Sequence, residues 1–263
     1  MTLAVRVRGF AAWAPGLEDA AAWRGWSAAP GPLGREGVPD ARFLPAMLRR
    51  RCTPLTRIML RAAFDVCPEP LRAEVRTVFA SRHGSINESI ELIEAVARRQ
   101  PISPAKFSHT VHNAQAALYS IATGNRRASS SLAAQEDTLA SGWIEALAHL
   151  EREPARPLLL VQGDVPLAPT FAPLVDEPVA SYAVAWLLAA DGDGEPLELA
   201  LEPAAPGATR PRRAWPEAAE LLRWWLSGEP SLELPGPRQC AVFRRGAPLR
   251  PPSPLRPSPL RSR

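Results

Sequence analysis

Apolar and polar positions alternate at the start of the chain. Leu3, Val5 and Val7, set between Ala4, Arg6 and Arg8, predict a strand over 3–10. Gly, Pro and Trp crowd 15–40, which reads as loop. The period then becomes helical, with Phe43, Leu44, Met47, Leu48, Leu55, Ile58, Met59 and Phe64 on one side, and Pro54 divides the stretch into two helices. Val75 to Ala80 predicts a buried strand, and Ser81-Arg82-His83-Gly84 a turn. Ser85 and Glu88 have capping-box spacing. They open a helix whose buried stripe is Ile86, Ile90, Ile93 and Ala97, closed by Pro101 and Pro104.

Residues 111–123 predict another helix, with Val111, Leu118, Ile121 and Ala122 on one side and Gly124 as its stop. Ser129 to Ala134 is weakly strand-like. Leu139, Trp143, Ala146, Leu147 and Leu150 then follow an amphipathic helical period. The apolar run Leu158–Val161 predicts a fully buried strand. Val179–Ala190 and Glu198–Leu201 predict two strands joined by the turn Asp191-Gly192-Asp193-Gly194. A helix opens at Pro216, carries Leu221, Leu222, Trp225 and Leu226, and ends at Gly228; Gln239–Phe243 predicts a last strand. This alternation of strands and helices implies a layered α/β domain over 1–243. The six-proline segment 244–263 reads as a disordered Arg/Pro-rich tail.

Charge narrows the function classes. The net charge is +4, but the tail holds six Arg and no acid, which leaves −2 for the rest and removes the basic face expected of a nucleic-acid binder. Lys106 is the one lysine among 31 basic residues, an arginine bias typical of a GC-rich bacterial coding sequence. No uninterrupted apolar run reaches the about eighteen residues of a membrane span, and the N-terminus lacks a secretion-signal layout. Cys52, Cys67 and Cys240 form no CxxC pair, so the expectation is a reducing cytoplasm without disulfides or zinc. His109 and His112 lack a third ligand for a metal, and no cofactor motif is present. Trp13, Trp23 and Trp26, with Trp215, Trp224 and Trp225, read either as core packing or as anchors on a partner. Trp224 and Trp225 are adjacent, so the expectation is that one surface cannot bury both.

Ser103-Pro104, then Asn113, then Gly124 eleven residues later, then Arg126, Ala128 and Ser129, is an ordered set. It resembles the nucleophile region of beta-ketoacyl synthases, with Ala128 where that family has Pro. Val78 to Gly84 and Leu158 to Gly163 extend the likeness to about residues 3–170. The resemblance implies a thiolase-like layered α/β/α fold, the N-terminal half of a ketosynthase. Counted without gaps, the family's catalytic cysteine falls on Glu136, between Gln135 and Asp137; a slip of one residue places Gln135 there instead. His112-Asn113-Ala114 and Glu136-Asp137 look most like the short chain-length-factor-type members of aryl polyene clusters. The family's two catalytic histidines come from Gly-rich contexts absent here, and no histidine follows His149.

The resemblance therefore implies no catalytic residue. At a helix start, Glu136 is a capping carboxylate favoured by the dipole by about 0.3–1 kcal/mol, and a poor nucleophile. Three functions remain open. The first is a non-catalytic subunit that pairs with an active beta-ketoacyl synthase during fatty-acid-like or aryl polyene extension on an acyl carrier protein. The second is an acyltransferase or decarboxylase using an unconventional residue. The third is a carrier-protein-binding module, with Arg49, Arg50, Arg51, Arg57 and Arg61 meeting an acidic helix. A nucleophilic Cys52, activated by its arginine neighbours, or Cys67 remains a minor alternative.

Overall fold

The computed structural model describes residues 2–204, 212–237 and 239–246. Its strands are β1 (Thr2–Trp13), β2 (Arg76–Ala80), β3 (Ser129–Leu132), β4 (Leu158–Asp164), β5 (Tyr182–Ala189), β6 (Glu195–Pro203), β7 (Ser231–Pro235) and β8 (Gln239–Arg245). The helices are α1 (Ala20–Ala28), α2 (Ala46–Arg49), α3 (Pro54–Val66), α4 (Glu69–Arg72), α5 (Ile86–Ala97), α6 (Pro104–Phe107), α7 (Ala114–Thr123), α8 (Thr138–Arg152) and α9 (Glu217–Ser227). The strands form one sheet in the order β3-β2-β4-β5-β1-β6-β8-β7. β2, β3 and β4 run parallel, and every other pairing is antiparallel. Helices α1, α8 and α9 cover one face around Trp23, Trp143, Trp186 and Trp224. Helices α3 and α7 cover the other around Ile58, Met59, Tyr119 and Phe79. This is a layered α/β domain, as the pattern implies, with helices on both faces of the sheet, as the resemblance implies.

Local chemistry explains the elements. Thr53 caps α3 by accepting from the Thr56 N–H at 3.2 Å, and Pro54 occupies its first turn, where its missing N–H costs nothing. Leu139, Trp143, Ala146, Leu147 and Leu150 of α8 are all buried, as their spacing predicts. Arg76 is buried inside β2 because its guanidinium reaches the open C-terminus of α8, donating to the carbonyls of His149, Glu153 and Arg156. Gly124 and Gly228 end α7 and α9 in the left-handed conformation.

Several expectations change. Residues 15–40 contain α1, because Asp19 caps Ala20-Ala21-Ala22 by accepting from Ala22 N–H at 2.8 Å. The Ser85 capping box does not form: the Ser85 hydroxyl oxygen instead accepts from Gln115 Nε2 at 3.1 Å. The stripe expected to bury α5 is only partly covered: Ile86 and Ile90 are half-buried, while Ala97 is exposed and Ile93 is 67% exposed. Leu92 is the one buried residue of α5, and Val96 is 57% exposed. Ile121 is exposed too, while Leu118 is buried. β5 and β6 are joined by the turn at 191–194 but are not neighbours, since β1 lies between them. The connection crosses β1 at Gly194, where a β-carbon would collide with the Val7 carbonyl. Trp224 and Trp225 are both buried, because α9 packs on the sheet beside α1 and the two rings meet different strands: Trp224 meets Phe243 of β8 and Trp225 meets Trp186 of β5. β7 is a strand the pattern did not predict. β8 runs two residues into the expected tail, with Arg244 and Arg245 ion-paired to Glu202 and Glu195. Residues 247–263 lie outside the described residues.

Candidate functional site

β2, β3 and β4 end on the same side of the sheet, the side where open α/β sheets collect ligand sites. β4 ends in Asp164, which is buried. Its Oδ1 accepts from Ser81 Oγ at 2.7 Å and from the His83 N–H at 3.1 Å, and its Oδ2 accepts from the Arg82 N–H at 3.1 Å. The Ser81 hydroxyl also accepts from the Gly84 N–H at 2.8 Å, which closes the turn after β2. Burial pushes the Asp164 carboxyl above its ordinary range despite these donors.

That turn aims Arg82 and His83 at the loop before β5. Arg82 ion-pairs with Asp176 at 2.8 Å and Glu177 at 3.1 Å, and His83 Nε2 lies 2.8 Å from Glu177 Oε1. Burial raises the Glu177 carboxyl, but the His83 hydrogen bond and the Arg82 charge outweigh it and hold the group below the usual carboxylate range. Burial is likewise outweighed at Asp176, chiefly by its hydrogen bond with Arg82.

After β3 the chain turns sharply into α8 through Gln135, Glu136 and Asp137. Gln135 has φ +52°, a conformation rare for a residue with a side chain, and it marks the strained corner of the elbow. The Thr138 hydroxyl fastens the corner, accepting from the Ala134 N–H at 3.0 Å and donating to the Gln135 carbonyl at 2.7 Å. Gln135 is exposed; Glu136 and Asp137 are half-buried. Asp137 stands at the cap position of α8 but makes no side-chain capping bond. Its carboxylate faces the tip of the β7–β8 hairpin, where a β-carbon on Gly236 would collide with Oδ1. Glu136 hydrogen-bonds Asp176, and this contact helps to hold the Asp176 carboxyl below its ordinary range.

A cleft of 670 Å³ opens beside the elbow, with Glu136, Asp176 and Glu177 on one wall and Arg213, Trp215 and Glu217 on the other. Arg213 is almost buried and bonded within the protein, to Glu220 at 2.7 Å, Glu217 at 3.3 Å and the Pro235 carbonyl at 3.3 Å. None of the three cysteines or four histidines lines the cleft. Burial raises the Cys52 and Cys67 thiols, and Arg57 and Arg51 only partly offset this at Cys52, so neither is an activated thiolate. His83 contacts Glu177 from behind. His112 packs against Gly84, and His149 lies in the last turn of α8. His109 lies beside Arg51; burial, then that charge, lowers its pKa. Among the described residues no three His, Cys, Asp or Glu side chains are grouped to hold a metal, and no helix is long and apolar enough to cross a membrane.

The other expected site residues lie apart. Asn113 precedes α7 without capping it. Arg49, Arg50 and Arg51, at the end of α2, do not line the cleft, and among the described residues none of them forms an ion pair. Arg61 instead pairs with Asp65 at 2.7 Å. The sequence offered no signal for Arg82, Asp164, Asp176 and Glu177 as one network, nor for Arg213 across the cleft: His83 and Glu177 are 94 positions apart.

No curated protein matches the chain. Solved structures do. A chain of the complex of the ketosynthase ApeO with its chain length factor ApeC from Xenorhabdus doucetiae superposes with TM-score 0.79 at 26% identity, over 92% of this chain and 100% of that one. The ishigamide ketosynthase/chain length factor gives TM-score 0.60 at 13% identity, over 78% and 68%. A beta-ketoacyl synthase from Burkholderia phymatum STM815 gives 0.57 at 12%, over 87% and 71%. The last two speak for the fold alone, which is that of the thiolase-like ketosynthases. The family model for the beta-ketoacyl synthase N-terminal domain matches residues 23–240, most of the chain, and the chain belongs to that family.

Proposed function

We propose that this chain is a non-catalytic, chain-length-factor-type subunit that pairs with an active beta-ketoacyl synthase during acyl chain extension on a carrier protein, of the fatty-acid-like or aryl polyene kind. The observation that carries the reading is the elbow itself, where Gln135, Glu136 and Asp137 stand in place of a thiol and no histidine faces the cleft. A carboxylate tied to Asp176 and lying next to an Arg82-centred network is a poor nucleophile. The strained φ of Gln135 favours that residue, one before Glu136, as the counterpart of the lost cysteine.

Pairing is supported by one side of the molecule. β3 is an edge strand with a free side, and its Ser-Ser-Ser-Leu sequence lacks the charge or proline that blunts an edge. The opposite edge, β7, is flanked by Pro230 and Pro235 and carries Glu233. Ile93, Val96, Phe107 and Ile121 of α5, α6 and α7 are exposed apolar residues, the kind a partner covers. The similar chain from Xenorhabdus doucetiae is part of a ketosynthase and chain length factor complex. Three free cysteines agree with a reducing cytoplasm. Co-expression with the ketosynthase of the same organism tests the reading by size-exclusion chromatography with light scattering. A one-to-one complex is expected, and a chain that stays monomeric beside a fully active ketosynthase refutes it.

The Glu136–Asp176 carboxyl contact favours a second reading, acid–base chemistry on an acyl group, since two carboxyls in one cleft are the groups such chemistry uses. Turnover of malonyl-carrier protein by the chain alone, lost in Glu136→Ala, would establish it. The arginines at the end of α2 favour carrier-protein docking on the same subunit, read out by salt-dependent binding lost in Arg50→Glu and Arg51→Glu.

A further inference from the structure

The cleft continues inward. Between the elbow and the end of β4 lies a recess of 30 Å³, room for a group of about water size. Glu136, Glu177 and Glu217 line both the cleft and the recess, and Gln162 and Tyr182 line the recess. Gln162 is 3% exposed. Its Nε2 donates to the Leu139 carbonyl at 3.2 Å, which fixes the orientation of the amide, and its Oε1 has no hydrogen-bond partner among the described residues. Gly142 of α8 gives the amide its room, since a β-carbon there would stand 3.0 Å from Nε2. A buried carbonyl oxygen of this kind calls for a donor from a bound group.

We propose that cleft and recess form a binding site for a slender organic cation, a primary ammonium on a short unbranched chain. Its head enters the recess and donates to Gln162 Oε1 and the Glu136 carboxylate, and its chain lies along Trp215. The site goes beyond the function proposed above and does not rest on it. An ammonium has donors and no acceptor, which suits the acceptors left uncommitted here. Among the described residues Glu136 pairs with no cation. The field is negative as well: burial, then the charges of Asp164, Glu177 and Glu217, push the Tyr182 hydroxyl well above its ordinary range, against Arg82. An anion finds no match inside, because Arg82 is taken by Asp176 and Glu177, and Arg213 by Glu217 and Glu220. Trp215, held by its Nε1 bond to the Gly31 carbonyl at 2.9 Å, joins Pro178 and Pro216 as the apolar wall for the chain.

Titration of the full chain with butylammonium chloride, read by amide NMR shifts, tests the site. Saturable shifts are expected at Glu136, Gln162 and Glu217, with binding that weakens as added salt screens the charge. Butanol and sodium butyrate, chains of the same length, should give no saturable shift there. Gln162→Leu and Glu136→Gln, each checked for folding by circular dichroism, should each weaken binding about tenfold, the loss of one hydrogen bond to a charged group. A wild type without saturable shifts assigns the recess to a buried water alone and overturns the proposal. Butanol or butyrate binding as tightly, or an affinity unchanged in either variant, overturns it too. The pairing with a ketosynthase keeps its own test by co-expression.

Discussion

Arg82→Leu removes the cation that pairs with the cleft residues Asp176 and Glu177 while keeping much of its bulk. The Arg82 side chain is 14% exposed and ion-paired to Asp176 at 2.8 Å and Glu177 at 3.1 Å. Without it Glu177, largely buried, keeps only His83, and the half-exposed Asp176 keeps Glu136 and water. Truncating one partner of a buried pair costs about 3–5 kcal/mol, and an exposed pair is worth at most about 1 kcal/mol. Glu177 lies nearer the first case and Asp176 nearer the second, so with His83 retained the sum is about 2–3 kcal/mol. In a chain of this size that lowers Tm by about 5–10 °C. The loss also has a pH signature. Both carboxyls are held below their ordinary range in the folded protein. A depressed folded pKa stabilises above the unfolded value, about 3.9 for Asp and 4.3 for Glu, and that stabilisation disappears as pH falls through the folded value. The variant has already lost it, so the stability gap should narrow below about pH 4. Urea denaturation at neutral and acid pH measures this. Equal midpoints at neutral pH, or a gap that widens on acidification, would refute the account of the network.

Other perturbations follow from the same geometry. Asp164→Ala strands the Ser81 hydroxyl and the N–H groups of Arg82 and His83; a loss of about 2–3 kcal/mol in urea is expected. Gly236→Ala drives a β-carbon into the Asp137 carboxylate, and should cost about 1–3 kcal/mol by thermal denaturation while leaving the α8 amides at its far end protected from exchange. Trp143→Ala empties the core between α8, β5 and β8, where Trp143 meets Trp186 and Phe243, at about 3–5 kcal/mol. Gln135→Cys and Glu136→Cys should each restore a thiol at the elbow yet give no condensation of malonyl-carrier protein, because no histidine faces the cleft; condensation by either variant would contradict the loss of the catalytic centre.

The layered architecture and the elbow were legible because their causes are local. The α8 period, the continuous β4 run and Gly124 each act within a few residues. What escaped the sequence is set by distant partners. The partly exposed stripe of α5 has the same period as a buried one, and only the position of the neighbouring elements decides how far it is covered. Trp224 and Trp225 are both buried because α9 packs on the sheet beside α1, so that one ring meets Phe243 and the other Trp186, distant partners with no local residue signature. The Arg82 network joins the turn after β2 to the loop before β5 across more than ninety positions, so its members look like ordinary surface charges in the sequence. The run 75–80 reads as a buried strand although it contains Arg76, a charge that becomes intelligible once the end of α8 stands over it.

The most direct test of the central claim is carrier-protein chain extension by the reconstituted pair of this chain and its ketosynthase, with the two elbows changed separately. The account predicts that Glu136→Ala in this chain leaves extension running, while replacing the partner's nucleophilic cysteine abolishes it. Extension or decarboxylation by this chain alone that is lost in Glu136→Ala would contradict it.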